Sequence, residues 1–173
     1  MTETPWPTAV VSAPPSPSPT PTVTPEEELL AQTPENARGE DFASATQFSR
    51  FFFAMYPDLF ASDGDTQLFE YLTGENCGFC ENAVASVAET RELDAYSVGG
   101  DVTFPDVLAR GGLQDDGYWY VADRFQAAAT ETFGPDGELL DAALAYSGEV
   151  RFRLEYLDDH WRVDEIDLEF DDA

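Results

Sequence analysis

From Asp41 to Tyr56 the chain reads DFASATQFSRFFFAMY. Phe42, Ala45, Phe48, Phe52, Met55, Tyr56 and Leu59 recur at helical spacing and make one apolar stripe. Phe51 and Phe53 widen that stripe until the helix is apolar on most sides, so other elements must cover it on two of them. Gln47, Ser49 and Arg50 leave a narrow wet strip. Pro57 disfavours helical backbone at Tyr56 and removes a donor, which predicts a kink or a stop there.

Shorter helices flank this one. Thr24 is a helix cap with Pro25 at the first position and Glu26, Glu27 and Glu28 at the positive end, and the pattern ends near Gln32. Asp65 caps a second short helix from Thr66 to Leu72 after the Ser62-Asp63-Gly64-Asp65 turn. A third starts at Asn76 or Cys77 and runs to about Glu92, with Cys80, Ala83, Val84, Val87 and Ala88 on its inner face.

The second half changes period. Val98 to Phe104 reads as a weak strand interrupted by Gly99 and Gly100, and residues 107–117 as a loop or short turn. Tyr118 to Ala129 is a long strand, with Trp119, Val121, Phe125 and Ala127 opposed to Tyr118, Tyr120 and Ala122. Gly134-Pro135-Asp136-Gly137 is a turn, Glu138 to Ala145 leans towards strand in its first half, and Ser147-Gly148 predicts a break. Val150, Phe152, Leu154 and Tyr156 then alternate with Arg151, Arg153 and Glu155, and Asp158-Asp159 turns the chain back. On the return strand Trp161 and Val163 share one parity while Ile166, Leu168 and Phe170 take the other. That switch predicts a bulge near Asp164-Glu165. Helices first and then a bent antiparallel sheet argue an α+β fold, with the sheet wrapped on the long helix as a cone.

Composition adds three constraints. Thirteen Phe, seven Tyr and three Trp in 173 residues supply ample material for one core. Thirty-five acidic residues stand against eight basic ones, all Arg, for a net charge of -27. Such a chain repels phosphate backbones and anionic lipid, which excludes nucleic acid and membrane surfaces as partners. Residues 1–25 are almost wholly Pro, Ser, Thr and small residues, too polar to offset the entropy of ordering. Residues 1–33 therefore read as a linker with a short helix, and 34–173 as a single α+β domain. No signal peptide and no membrane span is legible, yet a Pro/Ser/Thr tail before one compact domain suits tethering, so an export signal upstream of this start is expected.

This order of parts resembles the nuclear-transport-factor-two-like cone fold. The long aromatic helix from Asp41, the Asp63-Gly64-Asp65 turn with its short helix, and the closing hairpin LEYLDDHWRVDEIDL carry the likeness. More narrowly, the Pro/Thr tail running into TPEEELLAQTPENARGEDF, the aromatic helix and Cys77-Gly78-Phe79-Cys80 are similar to an uncharacterised family of actinobacterial lipoprotein-like domains. That resemblance implies export, a lipid anchor and a disulfide, and supplies no activity. The chain departs from it in showing neither a signal nor an anchoring cysteine. Its expected location is therefore outside the cytoplasm or attached to the cell envelope, the cytoplasm being the alternative.

The candidate chemistry is sparse. Cys77 and Cys80, the only cysteines, allow three readings. A redox pair would use the helix dipole to stabilise a thiolate, but Glu75 and Glu81 flank the pair and no Arg lies between Arg50 and Arg91. A metal site would need two further ligands, and no second pair exists. A structural disulfide would close a four-residue loop and contribute about 2 kcal/mol. His160 is the sole histidine and stands beside Asp159 in a turn, a place where histidines are most often solvent-exposed. Asp63-Gly64-Asp65 with Glu70 lacks the glycine and the terminal glutamate of a calcium loop. No phosphate loop is present, Gly111-Gly112 carries no motif, and no cofactor is called for.

The cone could bring Asp123, Tyr118, Tyr120, Tyr146 and Tyr156 together in a pocket, or these tyrosines could be packing with satisfied hydroxyls. Three functions follow. The first is a non-catalytic exported domain, monomer or dimer, that binds a small ligand or protein at the cone's open face through aromatics without a paired acid and base. The second is an isomerase- or hydratase-like enzyme with a buried carboxylate beside a tyrosine. The third is a thiol oxidoreductase with an exposed Cys77–Cys80 pair.

Overall fold

The computed structural model of the chain describes residues 23–105 and 108–172; residues 1–22 of the linker expected over 1–33 lie outside them. Its axis is helix α2, Phe42–Ala54, capped by Asp41, whose Oδ1 accepts from the Ser44 N–H at 2.8 Å. Phe48, Phe52 and Phe53 are buried, as are Ala45 and Ser49. Ser49 thus leaves the wet strip expected of it. Its hydroxyl donates to the Ala45 carbonyl at 2.9 Å, which satisfies the group without water. The helix stops before Pro57, but Tyr56 keeps helical backbone (φ -54°, ψ -51°) and Pro57 opens a 3-10 turn over Pro57–Phe60. At a first helical position the missing proline donor costs nothing.

Helix α1 (Pro25–Leu30) has the expected cap, completed by Glu27, whose carboxylate accepts from the Thr24 backbone. Leu29 and Leu30 pack on the core. Helix α3 is Gln67–Tyr71, preceded by Asp65, whose Oδ1 accepts from the Gln67 N–H. Helix α4 is Gly78–Glu92; Cys80, Ala83 and Val87 are buried on it, whereas Ala88, expected on the same face, is exposed.

Among the described residues eight strands follow: β1 (Tyr96–Gly99), β2 (Val102–Thr103), β3 (Arg110–Leu113), β4 (Trp119–Ala127), β5 (Thr130–Phe133), β6 (Leu139–Ala143), β7 (Tyr146–Tyr156) and β8 (Trp161–Phe170). All pairings between them are antiparallel. One sheet runs β2-β4-β7-β8, with β3 beside β2 on the free edge of β4, and a smaller sheet runs β1-β5-β6. The two are parts of one bent surface. β1–β2, β4–β5 and β6–β7 are each consecutive in sequence and bend at one level, where Gly99 pairs with Thr130 and Ala127 with both Val102 and Tyr146. Gly99 and Gly100 make the bend with φ of +87° and +83°, angles that side chains resist.

The single weak strand expected over Val98 to Phe104 is therefore two strands on either side of this corner. The loop expected over 107–117 holds β3. Gly111 is required there, because a Cβ would lie 1.8 Å from the Tyr120 carbonyl oxygen at a φ of +141°. Ser147-Gly148 does not break the sheet either. β7 passes through both residues, and Gly148 answers to close packing, since a Cβ on it would lie 2.4 Å from the Glu169 carbonyl. The bulge falls where the parity switch places it: Arg153 pairs with Glu165 and Leu154 with Val163, leaving Asp164 as the extra residue.

The concave side of the sheet closes on α2. Phe53 meets Phe125 and Phe152 edge-on at 5.1 and 6.2 Å, and Phe52 stacks on Phe69 at 4.5 Å. This is the α+β architecture the resemblance implies: helices first, then a curved antiparallel sheet on the long helix.

Candidate functional site

Where the small sheet folds over the end of α2 it leaves an open cleft of about 230 Å³. Tyr56, Pro57 and Phe60 form one wall; Ser97, Gly99, Gly100, Thr130, Ala143 and Tyr146 form the other. Each position has a local cause. Pro57 starts the turn that carries Phe60 against Tyr56, whose rings meet edge-on at 5.3 Å. The glycine corner brings bare backbone to the opposite wall, and Tyr146 stands at the start of β7, edge-on to Phe125 at 5.9 Å and to Phe170 at 5.6 Å. Burial, then the neighbouring Tyr146, raises the Tyr56 phenol above its ordinary value of 10.0, and burial alone raises Tyr146. Both are neutral phenols at physiological pH. No carboxylate, histidine or arginine lines this cleft. It can hold an apolar or aromatic group and offer two phenols for hydrogen bonding, but it has nothing to move a proton at neutral pH.

The five residues expected in one pocket are dispersed. Asp123 is on the concave face and buried; its Oδ2 accepts from Arg50 Nε at 2.7 Å and its Oδ1 from the Arg124 N–H at 2.9 Å. It is an ion-pair partner between sheet and helix, with both oxygens engaged. Tyr120 points from the opposite face, where its hydroxyl donates to Asp116 at 2.9 Å, and Tyr118 lies under the Arg153 guanidinium at 5.1 Å. Strand alternation separates them from Asp123. Tyr156 is far along β7, with its hydroxyl donating to the Arg38 carbonyl at 3.1 Å and its ring edge-on to Trp161. Tyr146 alone reaches the cleft. In the sequence Tyr56 belongs to the apolar stripe of the long helix, and Phe60 follows that stripe with no polar motif beside it. The local mark at this place is Pro57, which lies between them; the glycine pair opposite comes there only through the fold.

Cys77 and Cys80 are joined by a disulfide and both are fully buried. Cys77 caps α4, its sulfur accepting from the Cys80 N–H at 3.2 Å. The exposure that a thiol oxidoreductase needs is absent at this pair. Free-thiol counts across glutathione buffers are expected to give a reduction potential below about -300 mV, and a value near about -200 mV would make the pair redox-active. Among the described residues no cluster of three or more His, Cys, Asp or Glu could hold a metal ion.

The bases are committed elsewhere. Arg110, Arg124, Arg151, Arg153 and Arg162 pair with carboxylates along the sheet, Arg91 donates to the Gly64 carbonyl, and Arg38 donates to Ala31 and Thr33 carbonyls.

A family model matches residues 31–167 of this chain. The chain belongs to DUF6318, a family of unknown function. No curated protein matches it in sequence. Among solved structures the DUF6318 domain is similar to the intermembrane-space region of the chloroplast protein ARC6, with a TM-score of 0.52 and 10% identity over 72% of this chain and 96% of that one. That likeness is one of fold. Lower scores relate it to the beta subunit of benzoate 1,2-dioxygenase from Burkholderia mallei (TM-score 0.47, 10% identity, 76% and 91% covered) and to Aln2 from Streptomyces (TM-score 0.41, 18% identity, 70% and 87% covered).

Proposed function

We propose that the DUF6318 domain is a non-catalytic binding domain that works outside the cytoplasm and takes an apolar or aromatic group of a small ligand or protein partner into the Tyr56–Tyr146 cleft. The observation that carries this reading is the lining: two tyrosines, a phenylalanine and a proline face Ser97, Thr130, Ala143 and the Gly99-Gly100 backbone, with no paired acid and base. The volume suits a single ring, because a cavity of about 150 Å³ already admits benzene. The enzyme alternative needs a buried carboxylate free to exchange a proton beside a tyrosine. Among the described residues the buried carboxylates are Asp123 and Asp164, and these are instead paired with Arg50 and Arg153. The Cys77–Cys80 disulfide supports an oxidising compartment.

4-Fluorophenol, neutral at physiological pH and visible by fluorine NMR, tests the reading. Saturable broadening or shift of its resonance is expected with the native domain. Ala143→Phe, which fills the cleft from its exposed wall, is expected to weaken the interaction about tenfold, in line with a lost ring contact of about 1.4 kcal/mol. Equal binding to both proteins would remove the cleft as the site.

A further inference from the structure

The edges of the two sheets are not treated alike. β8 carries exposed Glu165, Asp167 and Glu169 along its edge. Its Val163 is tied down as well: the Val163 N–H donates to the Leu72 carbonyl at 2.8 Å, and the Gly74 N–H to the Val163 carbonyl at 2.7 Å. β2 and β3, on the opposite edge of the large sheet, are short, and β1 packs beside the Pro57–Phe60 turn. Charge, short strands and cover are the means by which sheet edges are kept from pairing with other chains. β6 lacks all three. Among the described residues it pairs with β5 alone, so its outer row of N–H and C=O groups has no strand beside it. All five of its residues are exposed, and four are apolar. Leu139 and Leu140 are 55% and 50% exposed, and Leu144, just beyond, is 87% exposed.

One face of this edge continues into the tyrosine cleft. Ala143 lines the cleft. Asp141, two residues back, shares its face: it pairs with Thr132, whose hydroxyl lies 2.9 Å from that of Ser97 on the cleft wall. The other face carries Ala142 in line with Glu131 and Val98.

Charge selects the occupant. On the large sheet the carboxylates are met by Arg110, Arg124, Arg151, Arg153 and Arg162. No basic residue lies between Arg124 and Arg151, and the exposed Glu131, Glu138 and Asp141 have no arginine partner among the described residues. A second copy would bring the same carboxylates to the same edge. Residues 1–22 contain one charged side chain, Glu3, and no base. Neither supplies the cations that complement this edge.

We infer that the β6 edge takes an extended, cationic segment of a protein partner as a fourth strand of the small sheet. The partner's backbone pairs with β6, a lysine or arginine meets Asp141, and an aromatic residue two positions away enters the cleft at Ala143. Apolar residues between them lie with Ala142 on the other face. This deepens the binding reading above and rests on it for the aromatic residue alone.

The peptide acetyl-KVRVYVK-amide has this alternation and serves as the probe. Added to the full chain labelled with nitrogen-15, it is expected to shift the Leu139–Ala143 amides saturably and to slow hydrogen exchange of those that point away from β5. N-methyl groups on its three valines block one edge of the probe; on its arginine, tyrosine and second lysine they block the other. One of these two peptides is expected to lose at least about tenfold in affinity and the other to keep it. Acetyl-EVEVYVE-amide should not bind. Asp141→Lys, at an exposed position, should weaken the cationic probe about threefold, an effect that disappears in high salt. Alanine in place of the probe's tyrosine should weaken it about tenfold. Equal binding of that alanine peptide, with the N-methyl discrimination intact, would overturn the part played by the cleft and uphold the strand addition. Both N-methyl peptides binding like the parent, the acidic peptide binding as tightly, or no saturable shift would each overturn the inference. Protection of the outward β6 amides before any peptide is added would also overturn it, assigning the edge to a second copy if it grows with protein concentration and to residues 1–22 if it does not.

Discussion

Arg50→Met is expected to lower the stability of the DUF6318 domain by about 3 kcal/mol, because it strands a charge rather than because it removes an attraction. The Asp123 side chain is 1% exposed, and Arg50 Nε is its only cationic partner, at 2.7 Å. Methionine retains much of the apolar stem of Arg50 but loses the guanidinium that lies over the Phe104 ring at 5.3 Å, a contact of about 0.5–1 kcal/mol and so a minor part of the cost. The double variant Arg50→Met/Asp123→Leu removes both charges and is expected to recover most of the loss, since a matched apolar pair substitutes well for a buried ion pair. Urea unfolding of the three proteins decides it. A double variant no more stable than Arg50→Met would mean that the penalty comes from repacking the helix against β4, not from the stranded carboxylate. The same pair bears on function, because it binds the one concave-face carboxylate that an isomerase-like mechanism would have needed.

Phe53→Ala is expected to cost about 4 kcal/mol, the range for emptying a phenylalanine site in a core. Phe53 is 3% exposed and its ring meets Phe79 of α4, Phe125 of β4 and Phe152 of β7, so one side chain joins both helices to the two central strands. Phe51, two residues earlier, is only half-buried, and Phe51→Ala is expected to cost about 1 kcal/mol. Thermal or urea denaturation of the two variants separates them. Similar losses from both would show that the helix is sheathed on all sides, as its composition alone suggests, and that the layer arrangement around Phe53 is wrong.

The contrast between these two phenylalanines marks how far the sequence could be read. An apolar stripe of Phe42, Phe48 and Phe52 identifies a helix that must be covered, because 3.6-residue periodicity is a local property. Which of Phe51 and Phe53 faces the covering sheet depends on where that sheet lies. The same division holds along the strands. Parity switching between Val163 and Ile166 located the bulge at Asp164, since alternation is also local. The corner at Gly99-Gly100 and Ala128-Ala129 was not legible. There three chain segments bend at one level, and only their pairing turns a glycine pair into the wall of a cleft. Gly111 and Gly148 show the limit more sharply: each is glycine because another strand's carbonyl passes within van der Waals reach of a Cβ, a constraint the local sequence does not carry.

For the sites, the sequence by itself determined which chemistry was scarce: one histidine, two cysteines, no lysine and a large acidic surplus. Those counts are properties of composition, and they set aside polyanion binding and a four-ligand thiolate metal centre before any fold was known. Tertiary structure decided everything that depends on distance. It paired Asp123 with Arg50, sent Tyr118 and Tyr120 to the face opposite Asp123, buried the disulfide, and set Tyr56 across from Tyr146. It also buried the Thr33 hydroxyl without a hydrogen-bond partner among the described residues. Thr33 and His160 border one recess from opposite ends of the chain, and no periodicity in either segment encodes that.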